Sequence, residues 1–158
     1  MKLTTMTQIT LDGVVQGNGA ASDEDRREGF ERGGWALGAG DDETRTLITQ
    51  TYQRADAFLL GRRTYELFAG SWGTTPEMRT HPIGKALSSA PKYVASTTLT
   101  EPQWENTTVL SGDLEQAIQA LKAGPDLALA LIDSRVDSKG VTIQVYRPNG
   151  RPQDPATK

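Results

Sequence analysis

Residues 57–66 read Ala57-Phe58-Leu59-Leu60-Gly61-Arg62-Arg63-Thr64-Tyr65-Glu66. An apolar run of strand length passes through one glycine into two arginines and the start of a helix. Gly61 lets the backbone turn tightly and approach a ligand, Thr64 is a candidate helix cap, and amides at a helix start attract anions. Arg62 and Arg63 add planar donor forks that grip oxyanions at two points, which suits a 2′-phosphate or a pyrophosphate. A capped helix with solvated arginines accounts for the same residues, so both readings stay open on this stretch alone.

The surrounding chain has 158 residues and a formal charge of −3. That length suits one domain with its own core, and the acidic balance offers no footprint for nucleic acid, so any anion must be held by local groups. There is no cysteine and His81 is the only histidine, which excludes a disulfide framework, thiolate chemistry and a histidine-rich zinc site. No metal is expected. No run approaches the ~20 apolar residues of a membrane helix, and the N-terminus lacks a long apolar core. These features imply a cytoplasmic protein with no membrane partner.

Upstream, Leu3 to Val15 alternates loosely and is rich in Thr, Ile and Val, which predicts a first central strand interrupted at the turn-forming pair Asp12-Gly13. Gly17 to Asp42 carries seven glycines and the isolated apolar residues Phe30, Trp35 and Leu37, the composition of a long surface loop with a few anchors. Asp41-Asp42-Glu43 then begins a helix with Thr46, Leu47, Ile48, Thr51, Tyr52 and Ala55 at helical spacing. Downstream, Thr64–Phe68 reads as a short helix ending near Gly70, followed by a loop through Trp72, Gly73, Pro76 and His81-Pro82. Lys92–Ser96 and Thr107–Leu110 are β-prone, and Asp113 opens a helix that Gly124-Pro125 stops. Strands alternating with helices predict an α/β sheet of parallel strands covered by helices. The end differs: Leu127–Ser138, Lys139-Gly140 and Val141–Tyr146 predict an antiparallel hairpin, with a mobile tail at 149–158.

Several of these pieces occur in one order that resembles the dihydrofolate reductase-like superfamily, in the bacterial branch similar to the C-terminal reductase domain of the riboflavin-biosynthesis protein RibD. They are Thr10–Val15, Leu60–Glu66, Tyr93–Leu99, Trp104–Asp113, and Leu131–Arg135 continuing through Gly140-Val141 to Tyr146–Pro148. The resemblance implies a single domain over 1–148 with a mixed, mostly parallel sheet, helices on both faces and the C-terminal hairpin. It implies an NADPH-dependent reductase of a pteridine- or pyrimidine-like heterocycle, similar to a 5-amino-6-(5-phosphoribosylamino)uracil reductase. In that frame Asp12 and Gly13 flank the nicotinamide, Gly61, Arg62, Arg63 and Thr64 hold the phosphates, Ser96 and Thr97 border the adenosine, and Gly112 joins the cofactor site. Ser96 and Thr97 are equally well explained as turn-forming polar residues.

One departure stands out. Members of this branch continue after the helix at 113–123 with a strand ending in a glycine-rich loop, a helix and a further strand, a unit of ~30 or more residues. Here Gly124-Pro125-Asp126 leads directly into Leu127–Leu131, the start of the final hairpin. Loss from the gene, deliberate shortening and omission of a segment from the sequence remain open as origins. Removing a central strand leaves backbone groups unpaired, so a shortened chain is expected to re-register its strands, to borrow a strand from a second copy or to be marginally stable, and a strand-exchanged homodimer is one remedy.

No proton donor stands out. Asp12 fits a turn better than an acid, Glu66 fits a solvated carboxylate or a partner for Arg62, Asp56 fits a surface turn, and His81 fits an incidental loop position. Phe30, Trp35 and Trp72 could cover a flat heterocycle, with loop anchoring as the simpler role. Two further functions compete with the reductase: a non-catalytic scaffold that lost part of the cofactor site, and a regulator that binds the nucleotide without oxidising it. A reductase would prefer NADPH to NADH and lose that preference when Arg62 or Arg63 becomes Ala.

Overall fold

The computed structural model describes residues 4–19, 23–122 and 129–148. Packing divides the chain into two units, residues 1–45 with 122–158, and residues 46–121.

The second unit holds a three-stranded parallel sheet. Its strands are β1 (Phe58–Gly61), β2 (Lys92–Ala95) and β3 (Thr107–Leu110), in spatial order β1-β2-β3. The register aligns Gly61 with Ala95 and Ala95 with Leu110, so all three strands finish level at one edge. Between β1 and β2 run helices α3 (Arg62–Ser71), α4 (Pro76–Thr80) and α5 (Pro82–Ser89), and α6 (Leu114–Lys122) follows β3. The helix α2 (Asp42–Gln53) leads into β1 and contributes Ile48 and Tyr52 to the margin of the core. At the centre of that core are Tyr65, Ile83, Leu87, Val94 and Trp104.

Helices α4 and α5 replace the loop expected from Trp72 to Pro82. Pro76 and Pro82 each occupy a first-turn position, where a missing N–H costs nothing and a fixed φ favours the helix. His81 serves both helices: its N–H closes α4 on the Glu77 and Met78 carbonyls, and its Nδ1 accepts the Ile83 N–H at 3.2 Å to cap α5. The histidine read as incidental is therefore a cap, and its ring lies 5.6 Å from that of Trp72. Gly84 lets α5 cross close over α4, since a Cβ there would run into the Met78 carbonyl.

Under α5 lies the least expected core residue. Lys92 is fully buried, and its Nζ donates to the carbonyls of Leu87 at 2.7 Å and Ala90 at 3.1 Å. The ammonium also sits 4.7 Å from the Trp104 ring centre, a cation–π contact. Burial pushes its pKa down from 10.5, and the charge of Glu105 works against that shift.

The first unit holds β4 (Leu129–Val136) and β5 (Thr142–Pro148), an antiparallel hairpin with an irregularity between Leu131 and Asp133. It also contains α1 (Asp23–Arg27), a short helix inside the predicted loop. Phe30 and Trp35 take the anchoring role: Trp35 Nε1 donates to the Gln16 carbonyl at 2.8 Å, and the Phe30 ring packs against Gly17, whose φ is +62°. The hairpin turn is tied to the start of α2 by two carboxylates. Asp41 accepts the Thr44 N–H at 3.0 Å and the Ser138 hydroxyl at 2.7 Å, while Asp137 accepts the Thr44 hydroxyl at 2.6 Å and the Val141 N–H at 2.8 Å. Arg135 reaches Glu43 at 2.7 Å in the same group.

These bonds favour the ionised carboxyls. The Thr44 amide and Ser138 hydroxyl hold Asp41 at about 2, and the Thr44 hydroxyl leads the lowering of Asp137, both from 3.8. Because the folded values lie below the unfolded ones, this stabilisation is complete above pH 3.8 and is lost as pH falls through the folded values. Carboxyl carbon resonances of Asp41 and Asp137 should titrate below 3.8, with Asp41 near 2. Midpoints at 3.8 for both would mean the turn is not tied down in solution.

One expectation about the sheet needs correction. Residues 4–15 form no strand; Thr10 N–H bonds to the Val14 carbonyl and Gly13 N–H to the Thr10 carbonyl, closing a turn in which Gly13 has φ +92°. Met6, Ile9, Leu11 and Val15 are exposed there. Among the described residues the C-terminal hairpin pairs apart from the three parallel strands. Residues 123–128 alone separate α6 from β4, too few for a strand-helix-strand unit. The tail at 149–158 lies outside the described residues.

Candidate functional site

At the carboxyl edge of β1, β2 and β3 the chain places three turns side by side. Parallel strands end in the same direction, so Gly61-Arg62, Ser96-Thr97-Thr98 and Ser111-Gly112-Asp113 come together without any side-chain instruction. The sequence expected this grouping for Gly61, Arg62, Arg63, Thr64, Ser96, Thr97 and Gly112. Asp12 and Gly13 belong to the other unit.

Gly61, not Thr64, is the N-cap of α3. Its φ and ψ are −75° and 159°, and no side chain caps the helix start. Thr64 falls inside the first turn, because the helix begins at Arg62 directly from the strand. The helix also continues through Gly70 to Ser71. A helix start without a side-chain cap presents amide hydrogens and the positive end of its dipole, the arrangement that binds phosphate and carboxylate.

Arg62 spans two of the turns. Its Nε donates to Glu66 Oε1 at 2.7 Å, one of the two roles the sequence left open for that carboxylate, and its Nη1 donates to Thr98 Oγ1 at 2.5 Å. Thr98 had no sequence signal beyond its position after Ser96-Thr97. Ser96 uses its hydroxyl oxygen to accept the N–H groups of Thr98 at 3.2 Å and Leu99 at 3.0 Å, which is the turn-forming role. Thr97 is exposed beside it, as is Arg63 at the helix start. Asp113 opens α6 by accepting the Gln116 N–H at 3.0 Å.

The two glycines at this edge test whether a phosphate-bearing ligand fits. Neither Gly61 nor Gly112 has a left-handed φ, and a Cβ at either would meet nothing within 4 Å among the described residues. The fold therefore uses neither for conformation or for packing, whereas a ligand lying against the backbone would need both. Gly70 on α3 shares this openness without lying at the edge. Guanidinium, hydroxyl and amide donors can bind and orient an anion; they supply no acid for a reaction.

Asp12 is lowered below 3.8 chiefly by the Thr10 hydroxyl, which donates to its Oδ1 at 2.5 Å. A carboxylate held ionised in an exposed turn is a poor proton donor, in keeping with its turn role. Among the described residues no group of histidines and carboxylates could hold a metal ion, and no helix is long and apolar enough to cross a membrane.

The fold has a counterpart of known structure. A crystal structure of a Shewanella sp. PV-4 protein named for riboflavin biosynthesis is similar with a TM-score of 0.56 at 17% identity, covering 90% of this chain and 96% of that one. None of the curated proteins matches the chain. The family described as RibD C-terminal domain matches residues 1–151, a span that includes both units' described strands and the whole carboxyl edge. With a dihydrofolate reductase-like α/β fold and a match over nearly its full length, the chain belongs to the RibD C-terminal domain family.

Proposed function

We propose that the protein is an NADPH-dependent reductase of a small pteridine- or pyrimidine-like heterocycle, of the riboflavin-biosynthesis type. The observation that carries this is the carboxyl edge, where Gly61 and Gly112 are glycines the fold does not require, beside Arg62, Arg63 and an uncapped helix start. Gly61 and the α3 amides would take the pyrophosphate, Arg62 and Arg63 the 2′-phosphate, Thr97 the adenosine margin, and Gly112 the backbone approach. The cofactor supplies the hydride; the chain binds and orients it.

A second reading, a nucleotide-binding or scaffold protein without turnover, draws support from residues 4–15 and from the direct passage between α6 and β4. Two copies exchanging a strand would offset that loss, since β1 pairs only with β2 among the described residues and leaves its other edge to a partner. Titration of NADPH and NADH, followed by fluorescence, tests the reading on the wild type and on Arg62→Ala. Tighter NADPH binding, weakened about tenfold by the substitution, is the expected result. Equal or absent binding would leave the scaffold. Light scattering on the same sample should give twice the 17.1 kDa chain mass.

A further inference from the structure

We propose that Glu66 is a positioning residue that selects the phosphorylated coenzyme by fixing the Arg62 guanidinium between two turns. This rests on the carboxyl edge being an NADPH site. Arg62 stands at the first position of α3 and Glu66 one helical turn later, so the carboxylate lies alongside the arginine stem and takes its Nε–H at 2.7 Å. Held there, the guanidinium points across to Thr98, whose hydroxyl takes Nη1. Thr98 is in turn fixed by its own N–H on Ser96 Oγ at 3.2 Å. The brace thus runs from the helix to the end of β2, the two elements that would flank a 2′-phosphate.

A guanidinium has five N–H donors, and a brace that uses two of them at fixed sites leaves the fork oriented for a phosphate. Glu66 has a second, opposite effect, because its negative charge offsets part of the arginine's. The side chains of Arg62 and Glu66 are 44% and 47% exposed, so this Coulombic effect is weak and screened by salt. Ordering a long side chain before binding is not screened, and it outweighs the charge at physiological ionic strength. Glu66 therefore raises NADPH affinity despite its sign and leaves NADH affinity unchanged.

The test measures dissociation constants of NADPH and NADH at 0.15 M salt for the wild type, Glu66→Ala, Glu66→Gln and Thr98→Val. Glu66→Gln keeps an oxygen acceptor for Nε and removes only the charge. Glu66→Ala should weaken NADPH by about three- to tenfold with NADH unchanged, Thr98→Val should do so to a smaller extent, and Glu66→Gln should restore wild-type preference. NADPH binding by Glu66→Ala at or above wild-type strength overturns the proposal, as does an equal loss for both coenzymes or a Glu66→Gln variant as weak as Glu66→Ala. A wild type that prefers NADPH while the variants show no change sinks the role of Glu66 alone. A wild type that binds neither coenzyme sinks the site itself.

Discussion

Lys92→Ala is expected to lower the unfolding free energy by about 3–5 kcal/mol, an effect as large as truncating an apolar side chain of the same core. Two losses add. The buried four-carbon stem leaves a cavity at the junction of β2, α5 and Trp104, comparable with a buried Leu→Ala change. The carbonyls of Leu87 and Ala90 also lose their donor at the end of α5, and each unsatisfied group costs about 1–3 kcal/mol where water cannot reach it. Water admitted to the cavity would recover part of the second loss, which is why the total stays below the sum. Lys92→Met separates the two, because it nearly keeps the volume while it removes the ammonium, and with it both hydrogen bonds and the cation–π contact with Trp104; about 1–3 kcal/mol is expected. Urea unfolding read through tryptophan fluorescence supplies both numbers. If Lys92→Ala cost less than about 1 kcal/mol, the ammonium would have to be solvated and the packing around Trp104 looser than described.

A lysine in that role is invisible in the sequence. Lys92 opens a β-prone run after Ala90-Pro91, where a charged residue normally marks the exposed end of a strand. The Leu87 and Ala90 carbonyls at the end of α5 take its ammonium inside, and α5 itself was hidden because Pro76 and Pro82 look like breakers when their positions within a helix are unknown. The parallel strands were legible for the opposite reason. Phe58–Gly61, Lys92–Ala95 and Thr107–Leu110 are short runs of apolar, aromatic or β-branched residues, with helices between the first two and after the third, so local composition and topology agree. Residues 4–15 carry a similar composition but form no strand, since strand propensity acts only through neighbours that complete the ladder.

The same contrast holds at the site. That Gly61, Ser96 and Gly112 share one edge follows from the parallel order of the three strands alone. That Arg62 reaches Thr98 depends on the register of β1 with β2 and on the turn that Ser96 closes, neither of which a linear pattern encodes. The cap at Gly61 in place of Thr64 is a boundary shift of three positions, of the size by which element ends read from sequence alone are displaced. It changes the chemistry nonetheless. A threonine cap would occupy a first-turn amide with its own hydroxyl; a glycine cap leaves the helix start to a ligand.

Gly61→Thr should accordingly separate binding from folding. Its backbone, at φ −75° and ψ 159°, suits a β-branched residue, a Cβ would meet nothing within 4 Å, and threonine serves as an N-cap about as well as glycine. Unfolding free energy should stay within about 0.5 kcal/mol of the wild type. Affinity for NADPH should fall by about 10- to 100-fold, because the new side chain stands where a pyrophosphate would lie against the backbone and its hydroxyl competes for the same amides. NADH should suffer the same loss, since both coenzymes carry the pyrophosphate. This distinguishes Gly61 from Arg62, whose substitution affects only the phosphorylated form. Joint measurement of urea midpoints and both dissociation constants gives the decision. Unchanged binding in a stably folded Gly61→Thr protein would remove the glycine from the site and, with it, the physical ground for placing a dinucleotide at this edge.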